Sequence, residues 1–414
     1  MEITVREAPA ARSAGLGELI VGSIKHNTKQ YTMFLALIAI WLIFAFLTDY
    51  TFIGARNLSN LFVQTVTTAI LAIGMVLVIV AGHIDLSVGS VLGFTGAVCA
   101  MLMIDLEWGT IPAISATLLV GLAIGAWHGF WVAYRKVPAF IVSLASMLAF
   151  RGLIIGITGG QTQGLEMAPE ETAERFKLLG QGYVPTLVPP QQLELLGRPV
   201  HDTSAYLSLA LVVVFVLWSL RARAARQKYG FPVLPLYAEA LKLAFISLII
   251  AAFAAIMVIY SGIPWSVLLV LALAAIFSFL AGNTRFGRHL YAIGGNADAA
   301  RLSGINVARN TFVLFMVMGV MVAIAGVAYT SRLNAATTSA GQNAELDAIA
   351  AAVIGGSSLM GGEGTIFGAI IGALVMTSLD NGMSLMNLDI TFQYVIKGLI
   401  LLLAVWVDMV QRKK

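Results

Sequence analysis

The sequence predicts an all-α, polytopic integral membrane protein of about ten spanning helices, each crossing taking about 20 apolar residues. Three observations predict it. Of the 414 residues, 59% are hydrophobic and only 11% charged, with a mean hydropathy of +0.89. A soluble domain carries about 25% charged residues, so this chain could not cover a surface facing water. Long apolar segments recur from residue 33 to residue 407, and the chain carries 40 glycines. Glycine weakens a helix in water but lets helix backbones approach closely in lipid.

The apolar segments fall near 33–48, 61–81, 87–104, 110–133, 138–158, 204–220, 243–260, 265–281, 310–330, 346–360, 365–385 and 390–407. The first follows a polar stretch of mixed charge, which lacks the apolar core and small-residue site of a cleaved signal peptide. The lone cysteine, Cys99, sits in an apolar run, so the expected fold is held by packing rather than by an internal disulfide. Very short Gly-rich links join 61–81 to 87–104 and 346–360 to 365–385, so either pair is a place for a half-length or broken helix. Gly89-Ser90-x-x-Gly93 and Gly364-Thr365-x-x-Gly368 occupy similar contexts. They are either a weak internal repeat, which in transporters points to the central site, or a chance likeness of two Gly-rich hairpins.

Orientation follows from Lys and Arg, which concentrate in cytoplasmic loops. With a cytoplasmic N-terminus and every segment crossing, the inside pieces include Arg135, Lys136 and the basic loops 221–242 and 282–309. Only Arg56, Arg175, Lys177, Arg198 and Arg332 fall outside. The expected organisation is a cytoplasmic tail 1–30, one transmembrane domain 31–410 with an outer loop 159–203, and a cytoplasmic tail 411–414. The outer loop is acidic, and Pro169-Glu-Glu opens a short surface helix. The run Arg221 to Arg226 reads as a snorkelling basic stop at the membrane face.

Several chemistries are missing. No lysine is followed by Ser or Thr, so there is no Walker A loop and no ATP or Mg cofactor site is expected in this chain. The histidines are scattered without metal-ligand spacing, and no nucleophile-and-base arrangement presents itself. Nucleic-acid binding has no folded basic domain to rest on. Transport is favoured over enzymatic function by elimination.

Three features carry positive information. In Ala81-Gly-His-Ile-Asp-Leu-Ser-Val-Gly-Ser-Val91, Asp85 or Ser87 either caps the next helix or, with Gly89, lines a pathway or gate where broken backbone is tolerated. In Arg285 to Val307, Asn296 predicts an N-cap, 297–302 a short helix and Gly304 its stop. A short capped helix in an inside loop is either a plain structured loop or a plug for a groove on another protein. Finally, Arg151 and Lys397 lie inside apolar segments, at a cost of about 2.5–3.5 kcal/mol each unless they snorkel or pair. Glu345, Asp347, Asp380 and Asp389 are candidate partners on the same side. Each charge forms an interhelical ion pair or lines a polar route. Asn381, Gln393, Tyr394 and Trp265 near the outer ends suit sugar contacts or ordinary interfacial packing.

These segments resemble the permease subunits of bacterial ABC sugar importers, in the ribose/xylose group. The likeness rests on Gly82 to Gly89, Tyr134 to Leu144, Phe150-Arg-Gly152, Tyr291 to Val307, Glu345 to Ala350, Gly361-Gly362, Ser378 to Ser384 and Lys397 to Asp408. It runs from about residue 55 to the C-terminus, apart from 161–203 and 221–241. The resemblance implies a homodimer in the bacterial inner membrane, surrounded by lipids. It also implies a separate ATPase subunit holding ATP and Mg, and a periplasmic binding protein delivering a monosaccharide, xylose first and ribose, arabinose, galactose or glucose as alternatives. It assigns Gly294, Gly295, Asn296, Asp298, Arg301, Gly304 and Ile305 to the loop that docks on the ATPase. Three departures stand out: His83 replaces a small or acidic residue, Glu363 interrupts a Gly-rich turn, and the Glu-Ala-Ala loop of maltose-type permeases is absent in strict form. An ion-coupled secondary transporter would need more intramembrane acids than Asp85, Asp347 and Asp380, which sit near segment ends. A membrane scaffold or receptor would leave the Gly-capped inside loop without a purpose.

Overall fold

The computed structural model describes residues 28–187, 194–195, 198–199, 201–231, 233 and 235–412. The expected tails, 1–30 and 411–414, lie outside these residues except at 28–30 and 411–412, and part of the outer loop 159–203 is outside them too. Among the described residues, eight helices are long and apolar enough to cross a membrane, and three shorter apolar helices accompany them.

The chain begins with α1 (Thr28–Leu47), α2 (Ala55–Val80), α3 (Val88–Ile104) and α4 (Thr110–Gly129), the last continuing as a π turn over Phe130–Tyr134. Then follow α5 (Ala139–Thr158), strand β1 (Gln163–Gly164) and the surface helix α6 (Glu170–Gln181) opened by Pro169. Strands β2 (Glu194–Leu195) and β3 (Arg198–Pro199) pair antiparallel before α7 (Asp202–Lys228), α8 (Leu236–Tyr260) and α9 (Trp265–Asn283). The second half holds α10 (Arg285–Gly295), α11 (Ala297–Leu302), α12 (Val307–Leu333), β4 (Ala335–Ala336), α13 (Ala344–Ile354), α14 (Ile366–Leu385) and α15 (Ile390–Arg412). The expected loop 221–242 shrinks to a short connection, because α7 and α8 extend beyond their apolar stretches.

The core is built around α2, which is buried along most of its length and packs on α12, α13 and α14. Lipid is as apolar as leucine, so helices associate by close packing of small residues. That explains the seam between α4 and α12. Gly121, Gly125 and Gly129 stand four residues apart on α4, and a Cβ at any of them would strike the α12 backbone at Gly319, Phe315 or Phe312. Gly96 of α3 meets Gly326 and Thr330 of α12 in the same way.

The second Gly-linked pair does hold a half-length helix, but the break in the chain lies before the pair, at 334–343, rather than at the Gly-rich link. After α12 the chain leaves the helix at Asn334 and resumes it at Asn343, both left-handed, with Gly341 at φ 68° between them. β4 pairs antiparallel with β1, tying this segment to the end of α5. The segment then descends beside α3: Ala340 abuts Gly93, and Gly341 abuts Gly89. Helix α13 completes the crossing. Its 11 residues reach about 16 Å at 1.5 Å per residue, half of a hydrocarbon core of about 30 Å.

The two Gly-rich texts are not equivalent in space. Gly364-Thr365 precedes α14, and Thr365 Oγ1 caps it by accepting from Gly368 N at 3.1 Å. Gly89-Ser90 lies inside α3, where Ser90 Oγ has no partner among the described residues. The two texts therefore sit a few residues apart relative to their helix starts.

Candidate functional site

Three polar sites sit at three depths. At the end where Val80, Lys136 and the α10–α12 connection meet, α10 buries Gly287, Leu290 and Ile293 against α9. Asn296 Oδ1 then accepts from Ala299 N at 2.9 Å, Asp298 and Arg301 pair at 2.7 Å, and Gly304 turns at φ 84°. The short helix stands where the Asn and Gly spacing predicts it. Leu302 is 88% exposed on it, the most exposed large apolar side chain among the described residues.

The two glycines before this helix differ. A Cβ at Gly295 would meet open space, whereas one at Gly294 would strike the Val80 carbonyl and Gly362 N. Gly361 and Gly362, at φ 87° and 78°, complete the junction, and Gly362 N donates to Val80 O at 2.8 Å. Tyr291 Oη donates to Gly364 O at 2.7 Å, and burial pushes its phenol above its ordinary range. The α10–α12 connection is thus pressed against the turn that follows α13. Beside it lies a cavity of ≈ 830 Å³ lined by His83, Lys136, Gly294, Asn296, Arg301, Ile305 and neighbours. His83 lines this cavity, and burial lowers its imidazole from its ordinary value.

Above this end, the turn between α2 and α3 is held by Asp85. Its Oδ1 accepts from Ser87 N at 2.9 Å and Ser87 Oγ at 2.6 Å. Ser87 therefore donates, and the expected Ser87 cap does not form. Asp85 Oδ2 lies 3.9 Å from His128 Nδ1, and His128 Nε2 is 2.8 Å from Ser146 Oγ. All four residues are buried, so the network fastens the turn to α4 and α5. Sequence reading missed it, because a lone histidine at position 128 carries no spacing signal.

Deeper still, Lys397 of α15 meets Asp347 of α13 at 3.0 Å and Asp380 of α14 at 2.8 Å. Two of the four acids named for the intramembrane charges take this lysine between them. Arg151 departs from expectation. Its Nη1 donates to Ala340 O at 2.9 Å and Thr338 O at 3.4 Å, so backbone carbonyls rather than a carboxylate hold it. The physical reason is the unwound segment, whose carbonyls have no helical N–H to serve them. Glu345 is close enough to Arg151 to interact electrostatically but does not pair with it, and Asp389 instead accepts from Thr391 N at 2.8 Å. Asn381 links α2 to α14, accepting from Asn57 Nδ2 at 2.8 Å, and Gln393 Nε2 donates to Leu388 O at 2.9 Å beside its own helix start. Arg151 also borders a cleft of ≈ 450 Å³ with Ile155, Gly160, Thr338, Ser339 and Gln342. The polar run 337–343 between two apolar segments was the available signal for these residues.

A buried helix frame, broken at 334–343, thus surrounds intramembrane charge, and one end carries a capped helix. The family model described as a branched-chain amino acid transport system permease component matches residues 57–405. The chain belongs to this permease family. Such permeases are the membrane components of ABC importers, which work with an ATPase and a periplasmic binding protein. This permease is 46% identical over 390 residues to the xylose transport system permease protein of Haemophilus influenzae, covering 94% of this chain and 98% of that protein. It is 46% identical to the xylose transport system permease protein of Escherichia coli over 94% of this chain and 93% of the relative. The ribose import permease protein of Escherichia coli is 32% identical over 94% of this chain and 97% of the relative. No solved structure matches the permease.

Proposed function

We propose that this chain is the xylose-conducting subunit of an ATP-driven importer in the bacterial inner membrane. The observation that carries the reading is end-to-end similarity to two xylose permeases at 46% identity, against 32% for a ribose permease. Two copies of the chain, in lipid, form the route; a periplasmic binding protein delivers the sugar. ATP and Mg are bound by the separate ATPase, and this chain has no ATPase site or other cofactor of its own. The basic end faces the cytoplasm.

The docking element is the connection through Gly294, Gly295, Asn296, Asp298, Arg301, Gly304 and Ile305. Leu302 supplies an exposed apolar side chain there that a partner would bury. The junction at Gly294 makes the element part of the membrane frame, so movement of the ATPase is felt at the turn after α13. Asp85, Ser87 and Gly89 form the inner gate region. Arg151, Asp347, Asp380, Asn381, Gln393 and Lys397 belong to the outer half of the route, where Asn381 and Gln393 position helices.

Proteoliposomes holding this chain, its ATPase and its binding protein are expected to accumulate labelled xylose only when ATP is supplied, with weaker uptake of ribose. Uptake without the ATPase, abolished by a proton ionophore, would refute the reading in favour of ion coupling.

A further inference from the structure

We propose that the cleft between α5 and the unwound segment 334–343 is a transit site for a neutral monosaccharide within this chain. The inference deepens the importer reading and rests on it. Non-helical backbone at membrane depth persists only where it is buried in protein or lines a polar cavity, and here it does both. Ala340 is buried against α3, while Thr338, Ser339 and Gln342 face the cleft. The volume, ≈ 450 Å³, falls within the range of about 300–1,000 Å³ for small-molecule sites.

The chemistry points to a polyol. Arg151 is fixed by Nη1 on two carbonyls, and among the described residues its Nε and Nη2 have no hydrogen-bond partner. A guanidinium donates and never accepts. The hydroxyls of Thr338 and Ser339 and the amide of Gln342 supply acceptors as well as donors beside it. A ring of adjacent hydroxyls, each both donor and acceptor, satisfies this mixed set. An anion uses donors only. Among the described residues no carboxylate lines the cleft, so the acceptors beside Arg151 are neutral hydroxyl and amide oxygens. The apolar part is Ile155, suited to a sugar's C–H face. Conduction also requires that such a site hold its solute weakly enough to release it, and a cleft with one anchored arginine and few apolar walls meets that requirement.

The test uses single cysteines in the assembled, reconstituted complex. Cys99, the only cysteine of this chain, is fully buried, and labelling is read on this chain after it is separated from its partners. Ser339→Cys and, as a second reporter, Ile155→Cys are labelled with a small polar thiol reagent, with Leu187→Cys as an exposed control outside the cleft. A saturating titration of D-xylose is expected to slow labelling at both cleft positions about tenfold at ten times Kd. It leaves Leu187→Cys unchanged, and adding Gln342→Ala weakens the protection. Protection by sodium sulfate equal to that by xylose, or no protection by xylose at either position, overturns the proposal. ATP-driven xylose uptake by the unmodified complex is read separately, so an importer that carries xylose without protecting the cleft refutes the site alone.

Discussion

At the scale of single residues, the intramembrane charges divide by what neutralises them. Lys397 is shared by two aspartates from two other helices, whereas Arg151 is held by carbonyls. The difference is predictive. Replacing Lys397 by Met leaves Asp347 and Asp380 facing each other without their cation, and removing one member of a buried pair costs about 3 kcal/mol. Lys397→Met is expected to lower the thermal unfolding temperature in detergent, and the triple variant that also carries Asp347→Asn and Asp380→Asn should recover most of the loss. An unchanged unfolding temperature in the single variant would mean that the lysine reaches the interface instead. Both charged positions were legible in the sequence as ionisable residues in apolar runs. Their partners were not: four acids were equally placed along the chain, and only the packing of α13 against α14 and α15 selects two of them for Lys397.

At the scale of elements, the short helix 297–302 was readable because its signals are local. A side-chain oxygen that accepts from the N–H three residues on, and a glycine at the stop, need no tertiary information. What Gly294 and Gly295 do was not readable, since the two are chemically identical neighbours. Gly294 presses on Val80 and Gly362, while Gly295 borders open space. Gly294→Ala is therefore expected to weaken coupling, leaving ATP hydrolysis but lowering sugar uptake per ATP hydrolysed at least severalfold. Gly295→Ala should approach the parent on both measures. Equal behaviour of the two variants in reconstituted transport would exclude the junction as the route of coupling. The asymmetry separates two glycines that the sequence assigns to one element: Gly294 packs on the membrane frame and Gly295 faces outward.

At the scale of the whole molecule, contacts sort the loops into two ends. Val80–His83, Lys136, the 293–308 stretch and Gly361–Gly362 meet at one end. Phe176 with Ser331, Gly182 with Trp265, and β1 with β4 meet at the other. Counting crossings from a cytoplasmic N-terminus puts the first group inside and the second outside, an assignment that a fusion experiment tests. A reporter fused after Gly180 is expected to read as periplasmic and one after Gly230 as cytoplasmic. The reverse pair of signals would overturn the orientation while leaving the fold intact.

The sequence by itself determined the solvent, the succession of apolar segments, the expected orientation and the family resemblance. Hydrophobic length and charge placement act locally and one segment at a time, so a linear reading captures them. Only the tertiary structure decided that 334–343 is unwound beside α3, that its carbonyls hold Arg151, and that Asp85 reaches His128 and Ser146. These contacts join residues far apart in the chain, and many pairings would satisfy the same polar groups. Packing selects one of them, through glycine surfaces that let particular backbones come close enough to exclude the rest.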